Sequence, residues 1–448
     1  MGIRSLPVAA AAYEFGPFRF EPRESRLLRE GTPVPLPPQG IETLQALVEK
    51  GGCLVTKREL MDRVWPGRFV EENSLTKCVS ALRAALGDQR AGPSYIETVA
   101  KRGYRFIAQV RPQDRGGEPS GSARDLRRRS TRDVDAYRLY REARCHVLRY
   151  TSAAWRKSAI RYEAAIAQDP AYALAHADLA ISSVLACVYY TSSETVAQRA
   201  REAARQALAI DSGLAEAHLA TALVRLFLDW NWQGAESSFH QALAFDPAQA
   251  WSHNYYGTFL CLMGRFREAL PTLERAVELN PVRLAVNGHL GLYHHFTGTA
   301  EGSLGHYRRA LDLDPFCGLI RVDLARTLEL AGRPREALAE IERAQQLDDA
   351  PWVRVWLARA LALAGEPEGA RRILGQLGQG AWRGSVSPVF LALVHAALGD
   401  REEALAQLEE ARAQRSPWIA FLGVEPGFDS LREEPGFAAL LRRTGLTA

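Results

Sequence analysis

The chain has 448 residues, of which 47% are hydrophobic and 24% charged, with a formal net charge of +4. That length suggests two or three domains, and the composition is ordinary for a globular protein with a sizeable core. The net charge is too small to point to nucleic acid, no run of about 18 apolar residues is present to span a bilayer, and the six scattered cysteines, with no CxxC pair, exclude a disulfide framework or a cysteine metal site.

The charge is unevenly placed. Residues 13–111 hold 16 Lys/Arg against 12 Asp/Glu, residues 112–132 hold 6 against 3, and residues 133–448 hold 33 against 37. The basic excess lies near the N-terminal end, where it would attract phosphate. Residues 1–12 read as a leader whose apolar part, around Pro7–Ala12, is too short and proline-broken for a secretory signal. A cytoplasmic location is expected.

Tyr13–Leu36 alternates aromatic and polar residues, as short antiparallel strands do, until Pro37-Pro38. Ile41, Leu44, Leu47 and Val48 then make one helical stripe, stopped by Gly51-Gly52. Thr56 with Glu59 three residues on is a capping box, opening a second helix through Leu60, Met61 and Val64. A third helix begins near Asn73, with Leu75, Val79, Leu82 and Leu86 on one face and Gly87 just past its end. Tyr95–Val99 and Tyr104–Ala108 flank Lys101-Arg102-Gly103 as a hairpin.

Residues 112–132 are rich in Gly, Ser, Pro and Arg and carry no apolar stripe, so a flexible linker is expected. From residue 133 a repeat dominates. Helix-ending phrases recur at Asp169, Asp211, Asp246, Asn280, Asp314 and Asp348, in steps of 42, 35, 34, 34 and 34, and a glycine recurs at 264, 298, 332, 365 and 399. A 34-residue period with two helices per unit is the tetratricopeptide pattern. About eight pairs are expected over residues 133–416, with an insertion near Val188–Glu194 and a capping segment over 417–448.

The phrases YEFGPFRF, KRELMDRVWPG, FVEENSLTKCVSALRAALGD and YIETVAKRGYRF resemble the OmpR/PhoB winged-helix family, most of all its ToxR/CadC branch. DWNWQGAESSFHQALAFDP and EPGFDSLREEPGFAALLRRTGL resemble tetratricopeptide tails of bacterial regulators, cyclases and kinases. The resemblance implies a bacterial protein that is mainly α: an N-terminal winged helix (α+β) over residues 13–111, followed by an all-α tetratricopeptide superhelix. Two departures stand out. Only the twelve-residue leader precedes Tyr13, so no receiver domain is expected, and the polar linker stands where ToxR and CadC carry a membrane helix.

The third helix turns Asn73, Lys77, Ser80, Ala81 and Ala84 away from its apolar stripe, flanked by Thr76 and Arg83. Small and polar residues on one face let a helix enter the major groove. Asn73, Ser74, Thr76, Lys77, Ser80 and Arg83 are therefore the expected DNA contacts, joined by Lys101, Arg102 and Arg105 at the hairpin. In the family the wing cation comes slightly earlier, where Ala100 stands here. The Arg127–Arg129 run could add phosphate contacts.

The tetratricopeptide frame puts Trp251, Asn254, His295, Arg326, Glu329, Trp352 and Arg359 on or near a concave face suited to an extended peptide, a partner helix or a second protomer. His294-His295 points to two faces and makes no metal site. No nucleotide-binding, zinc-hydrolase or serine-hydrolase motif occurs in a suitable context, so no enzyme, cofactor or metal is expected. The expected function is sequence-specific regulation of transcription on double-stranded DNA. The alternative is a scaffold whose winged helix docks protein.

Overall fold

The computed structural model describes residues 12–50, 52, 54–65, 72–88, 95–99, 102–108, 110–113, 131, 133–147, 150–191, 193–281, 283–379, 382 and 385–446. It divides into two compact units, Met1–Ser120 and Gly121–Ala448.

In the first unit β1 (Ala12–Phe15), β2 (Phe18–Glu21), β3 (Arg26–Arg29) and β4 (Thr32–Val34) form an antiparallel meander. Gly16, at φ +55°, allows the two-residue turn that brings Phe15 opposite Phe18. Then come α1 (Pro38–Glu49), β5 (Leu54–Thr56), α2 (Lys57–Val64), α3 (Glu72–Leu86), and the hairpin β6 (Ile96–Val99) and β7 (Gly103–Phe106). The capping box at Thr56 is formed, with each partner's side chain bonded to the other's backbone N–H. Leu44, Leu47, Leu60, Leu75, Val79 and Leu82 bury the stripes of the three helices. Phe15, Phe18, Tyr95 and Phe106 close the core between the sheets, with ring centroids 4.9–6.4 Å apart.

Two strands correct the sequence reading. β5 pairs with β7 and makes the hairpin a three-stranded sheet. β8 (Arg111–Gln113) pairs with β1, Tyr13 facing Pro112, so the sheet continues past the expected boundary at residue 111. Apart from Thr131, the rest of the expected linker, including Arg127–Arg129, lies outside the described residues.

The second unit is a run of helix hairpins. The pairs are α4 (Val134–Val147) with α5 (Ser152–Gln168), α6 (Ala173–Tyr189) with α7 (Glu194–Ile210), α8 (Ala215–Leu223) with α9 (Trp232–Phe245), α10 (Ala250–Leu262) with α11 (Phe266–Leu279), α12 (Leu284–Phe296) with α13 (Ala300–Leu313), α14 (Gly318–Leu330) with α15 (Pro334–Leu347), α16 (Pro351–Leu363) with α17 (Pro367–Leu377), and α18 (Pro388–Leu398) with α19 (Arg401–Ala413). Alanines at 269, 276, 325, 337 and 344 are fully buried where paired helices approach. The long 42-residue step is absorbed as extra helical length: α6 and α7 have 17 residues each, where the later helices of the repeats have 9–14. A π-helical segment, Val224–Leu228, continues α8.

Residues 417–446 form two 3-10 segments (Pro417–Phe421 and Pro426–Leu431) and α20 (Pro435–Thr444). They do more than close the last pair. The Trp418 indole N–H donates to Val188 O of α6 at 2.8 Å, the Arg415 guanidinium to Asp229 O at 2.9 Å, and the Trp232 indole N–H to Thr444 O at 3.1 Å. The tail thus returns from the eighth pair to the second and third.

Candidate nucleic-acid interface

The 15 residues of α3 divide cleanly. Leu75, Cys78, Val79, Leu82 and Leu86 are buried, while Asn73, Thr76, Lys77, Ser80, Ala81 and Ala84 are exposed and Ser74 half-buried. Lys77 makes no ion pair among the described residues, so its ammonium is available to an anion. The outward strip is small apart from Lys77 and Asn73, which is the shape a groove-entering helix needs.

Arg83 and Arg105 are occupied within the unit. Arg83 Nη2 donates to Ile96 O and to Thr98 Oγ1, both at 2.8 Å, and so fastens α3 to β6. Arg105 pairs across the hairpin with Glu97 at 3.2 Å, the residue opposite it in register. Both were expected as DNA contacts, and each also has a partner within the unit. Arg102 is exposed at the turn, its N–H donating to Val99 O at 3.0 Å while its carbonyl accepts from Lys57 N at 3.1 Å. Those two bonds fix the turn between β6 and the start of α2. Lys101 lies outside the described residues.

Gly103 follows that turn and faces Thr56 in register. A Cβ there would stand 2.0 Å from Val55 O, a backbone atom that cannot swing aside. Gly103→Ala should therefore push β7 off β5 and cost about 1–3 kcal/mol or more of this unit's stability, as overpacking does. Thermal melts followed by circular dichroism check this; an unchanged melt would contradict the close approach.

The other expected site residues lie in the repeats, most of them buried, and their surroundings are filled. Arg326 from α14 lies over the rings of both Trp356 and Trp418, at 5.2 and 5.4 Å, and binds both Asp323 (2.8 Å) and Glu425 of the tail. His295 stands 3.7 Å from the Glu425 carboxylate. Arg359 pairs with Glu329 at 2.9 Å and donates to Leu393 O. Trp418 stacks on Phe421 at 4.3 Å and meets Phe390 edge-on at 4.7 Å, and Phe421 reaches Phe227 and Phe296.

Asn254 is buried against His289, and Trp352 is buried against Tyr190. Trp251 is half-buried, with Arg283 over its ring at 3.9 Å. These residues therefore do not form an open peptide groove. The structure brings Arg326 and His295 together around Glu425 and Arg359 together with Glu329, because the chain's own tail and the neighbouring helices satisfy them. Sequence reasoning missed Glu425, a single carboxylate inside the apolar stretch WIAFLGVEPGF.

Comparison with known proteins adds to this geometry. Residues 31–106 match the family model "Transcriptional regulatory protein, C terminal", and residues 330–380 and 389–410 match tetratricopeptide repeat models. The chain joins an OmpR/PhoB-type domain to tetratricopeptide repeats. Over 105 residues the OmpR/PhoB-type part is 38% identical to the transcriptional regulator HilA of Salmonella typhi, covering 23% of this chain and 19% of that one. It is 39% identical over 69 residues to the cholera toxin transcriptional activator of Vibrio cholerae, covering 15% and 24%. It is also 32% identical over 96 residues to the transcriptional activator CadC of Escherichia coli, covering 21% and 19%.

The chain thus spans about a fifth of the length of these relatives. Among solved structures, the DNA-binding domain of E. coli CadC is 29% identical, covering 23% of this chain and 96% of its own, with a TM-score of 0.22. PilW, a type IV pilus biogenesis factor, is 23% identical, covering 45% and 90%, with a TM-score of 0.37. The matched models describe a regulator domain and repeats, not enzymes. Among the described residues no helix is long and apolar enough to cross a membrane, and no cluster of three or more His, Cys, Asp or Glu side chains could hold a metal.

Proposed function

We propose that this protein is a cytoplasmic, sequence-specific regulator of transcription whose OmpR/PhoB-type domain grips double-stranded DNA. The observation that supports this best is the exposed face of α3: Lys77 without an ion-pair partner among the described residues, flanked by Asn73 and small residues, on a helix whose opposite stripe is buried. Asn73, Lys77 and Ser80 would read base edges or phosphate, Ser74 and Thr76 would bond phosphate oxygens, and Arg102 with Lys101 would lie along the backbone or minor groove. Arg83 would also set the hairpin against α3, and Arg105 would tie the two strands of the hairpin together.

The full chain should select a preferred site from random duplexes, with affinity falling steeply as salt rises because phosphate contacts release counterions. Lys77→Ala should weaken binding and, if Lys77 reads a base, relax preference at one position by about 1–3 kcal/mol. Arg102→Ala should weaken all sequences alike. Fluorescence anisotropy at several salt concentrations measures both. No duplex binding even at low salt would favour the scaffold reading.

The repeats would carry the regulatory contact, whether with a protein partner, a peptide or a second protomer. A partner that needs the concave face must displace the tail, so the partner's affinity would be reduced by the stability of that packing.

A further inference from the structure

The end of α3 reaches across to the hairpin. Gly87, at φ +67°, turns the chain out of the helix; its N–H donates to Ala84 O at 3.2 Å, and the Asp88 N–H donates back to Arg83 O at 2.9 Å. Such a Schellman ending fixes the residue after the glycine beside the last turn. There the Asp88 carboxylate, on a side chain 4% exposed, accepts from the Ile96 N–H at 2.9 Å. The Ile96 carbonyl accepts from Arg83 Nη2, which also donates to Thr98 Oγ1. Arg83 Nε stands 4.0 Å from the Asp88 carboxylate. One anion and one cation therefore hold both backbone polar groups of Ile96, and each orients the other.

Ile96 opens β6, an outer strand of its sheet, with β7 as its neighbouring strand. The grip of Arg83 and Asp88 ties the other side of that strand to α3. Four strand residues at about 3.3 Å each separate Ile96 from the turn that leads to Arg102, so a tilt of about 10° at Ile96 would move the turn by roughly 2 Å. A hydrogen bond to a phosphate oxygen does not survive a shift of that size. Asp88 is itself unsuited to touch DNA, because its charge would repel phosphate and its carboxylate is buried against Ile96.

We propose that Asp88 is a positioning residue for DNA binding, an inference that rests on the DNA-binding reading of α3 and its hairpin. With Arg83 it fixes the angle of the hairpin to α3, so that Lys77 on the helix and Arg102 at the turn meet one duplex together. The two contacts then act as a unit, and loss of the Asp88 carboxylate uncouples the turn while leaving the face of α3 intact.

The test is fluorescence anisotropy of the full chain on a duplex it selects, over a range of salt, with folding checked by circular dichroism. Asp88→Ala should flatten the dependence of log K on log salt by about 0.9 for each phosphate the turn gives up. In that background Arg102→Ala should change affinity less than about twofold, while Lys77→Ala should cost what it costs the parent within the same margin. A residue that only stabilised the fold would lower the folded fraction and leave the salt slope and the effect of Arg102→Ala unchanged. Asp88→Asn keeps an oxygen for the Ile96 N–H and loses the charge beside Arg83; it should fold and shift the slope the same way, by less. Were Asp88→Ala to unfold, the Arg102→Ala comparison is made in Asp88→Asn. A parent-like slope in the folded Asp88 variants, or an undiminished effect of Arg102→Ala in them, would overturn the positioning role. A parent that binds no duplex at low salt would instead remove the DNA-binding reading, and this proposal with it.

Discussion

Deleting residues 417–448 is expected to collapse the repeat unit's cooperative melt rather than trim its end. Trp418, Ile419, Phe421, Leu422, Phe428, Leu431, Phe437, Leu440 and Leu441 are all at most 3% exposed. Each large apolar side chain contributes about 1.5–3 kcal/mol when fully buried. Their sum exceeds the net stability of roughly 5–15 kcal/mol typical of a folded domain. The deletion also uncovers Phe227, Phe296, Trp356 and Phe390 on the concave face and leaves Arg326 in an apolar wall without Glu425. The shortened chain should aggregate, or should bind an apolar dye and melt broadly. Adding a peptide of residues 416–446 should restore part of the lost transition. A shortened chain that melts as sharply and as high as the parent would show that the tail merely lies on the array.

That prediction concerns the feature least legible in the sequence. A 34-residue period is visible because each repeat contacts its neighbour, so every pair leaves the same local mark. The tail leaves none. Its hydrogen bonds with Val188, Asp229 and Trp232 join residues 230, 186 and 212 positions apart, distances at which no periodicity operates. Its aromatic residues were legible as apolar and were assigned to the nearest exposed face, the end of the last pair. Asn254, His295, Arg326 and Arg359 are buried; what packs against them was not readable. Charged residues there look like ligand-binding groups until Glu425 is seen opposite Arg326.

In the OmpR/PhoB-type domain the legible parts were those with a repeat or a cap: the Leu75–Leu86 stripe and the Thr56–Glu59 capping box. The strands β5 and β8 were not, because three residues are too few to show alternation, and they exist through pairing with β7 and β1. For the same reason Arg83 and Arg105 looked like free cations. Their partners, the Ile96 carbonyl, Thr98 and Glu97, sit on the hairpin, and only its register shows that they are in reach.

The second large effect is expected at the buried ion cluster that holds the tail. Burial alone would raise the Glu425 pKa, but Arg326 and His295 outweigh it and hold the carboxyl well below the usual carboxylate range. Glu425→Gln leaves the Arg326 guanidinium, 4% exposed, with Asp323 as its remaining counter-charge. Breaking one partner of a buried pair costs about 3–5 kcal/mol, whereas replacing both by apolar groups of similar size is often neutral. Arg326→Met should be similarly destabilising, and the double variant should lose considerably less than the sum of the two losses, because Glu425 no longer stands uncompensated and only Asp323 is left without its partner. Chemical denaturation of the four proteins measures the coupling; additive losses would mean that the pair does not hold the tail.

The pH dependence has a defined sign. A carboxyl whose folded-state pKa is depressed stabilises fully above its unfolded-state value. That contribution shrinks as pH falls below the ordinary carboxylate range and vanishes once the lowered folded-state value is passed. The parent's advantage over Glu425→Gln should therefore be constant near neutrality and disappear only in strong acid. Were the advantage instead lost between neutrality and the ordinary carboxylate range, Glu425 would not be held ionised by Arg326, and the tail would be fastened by its aromatic residues alone.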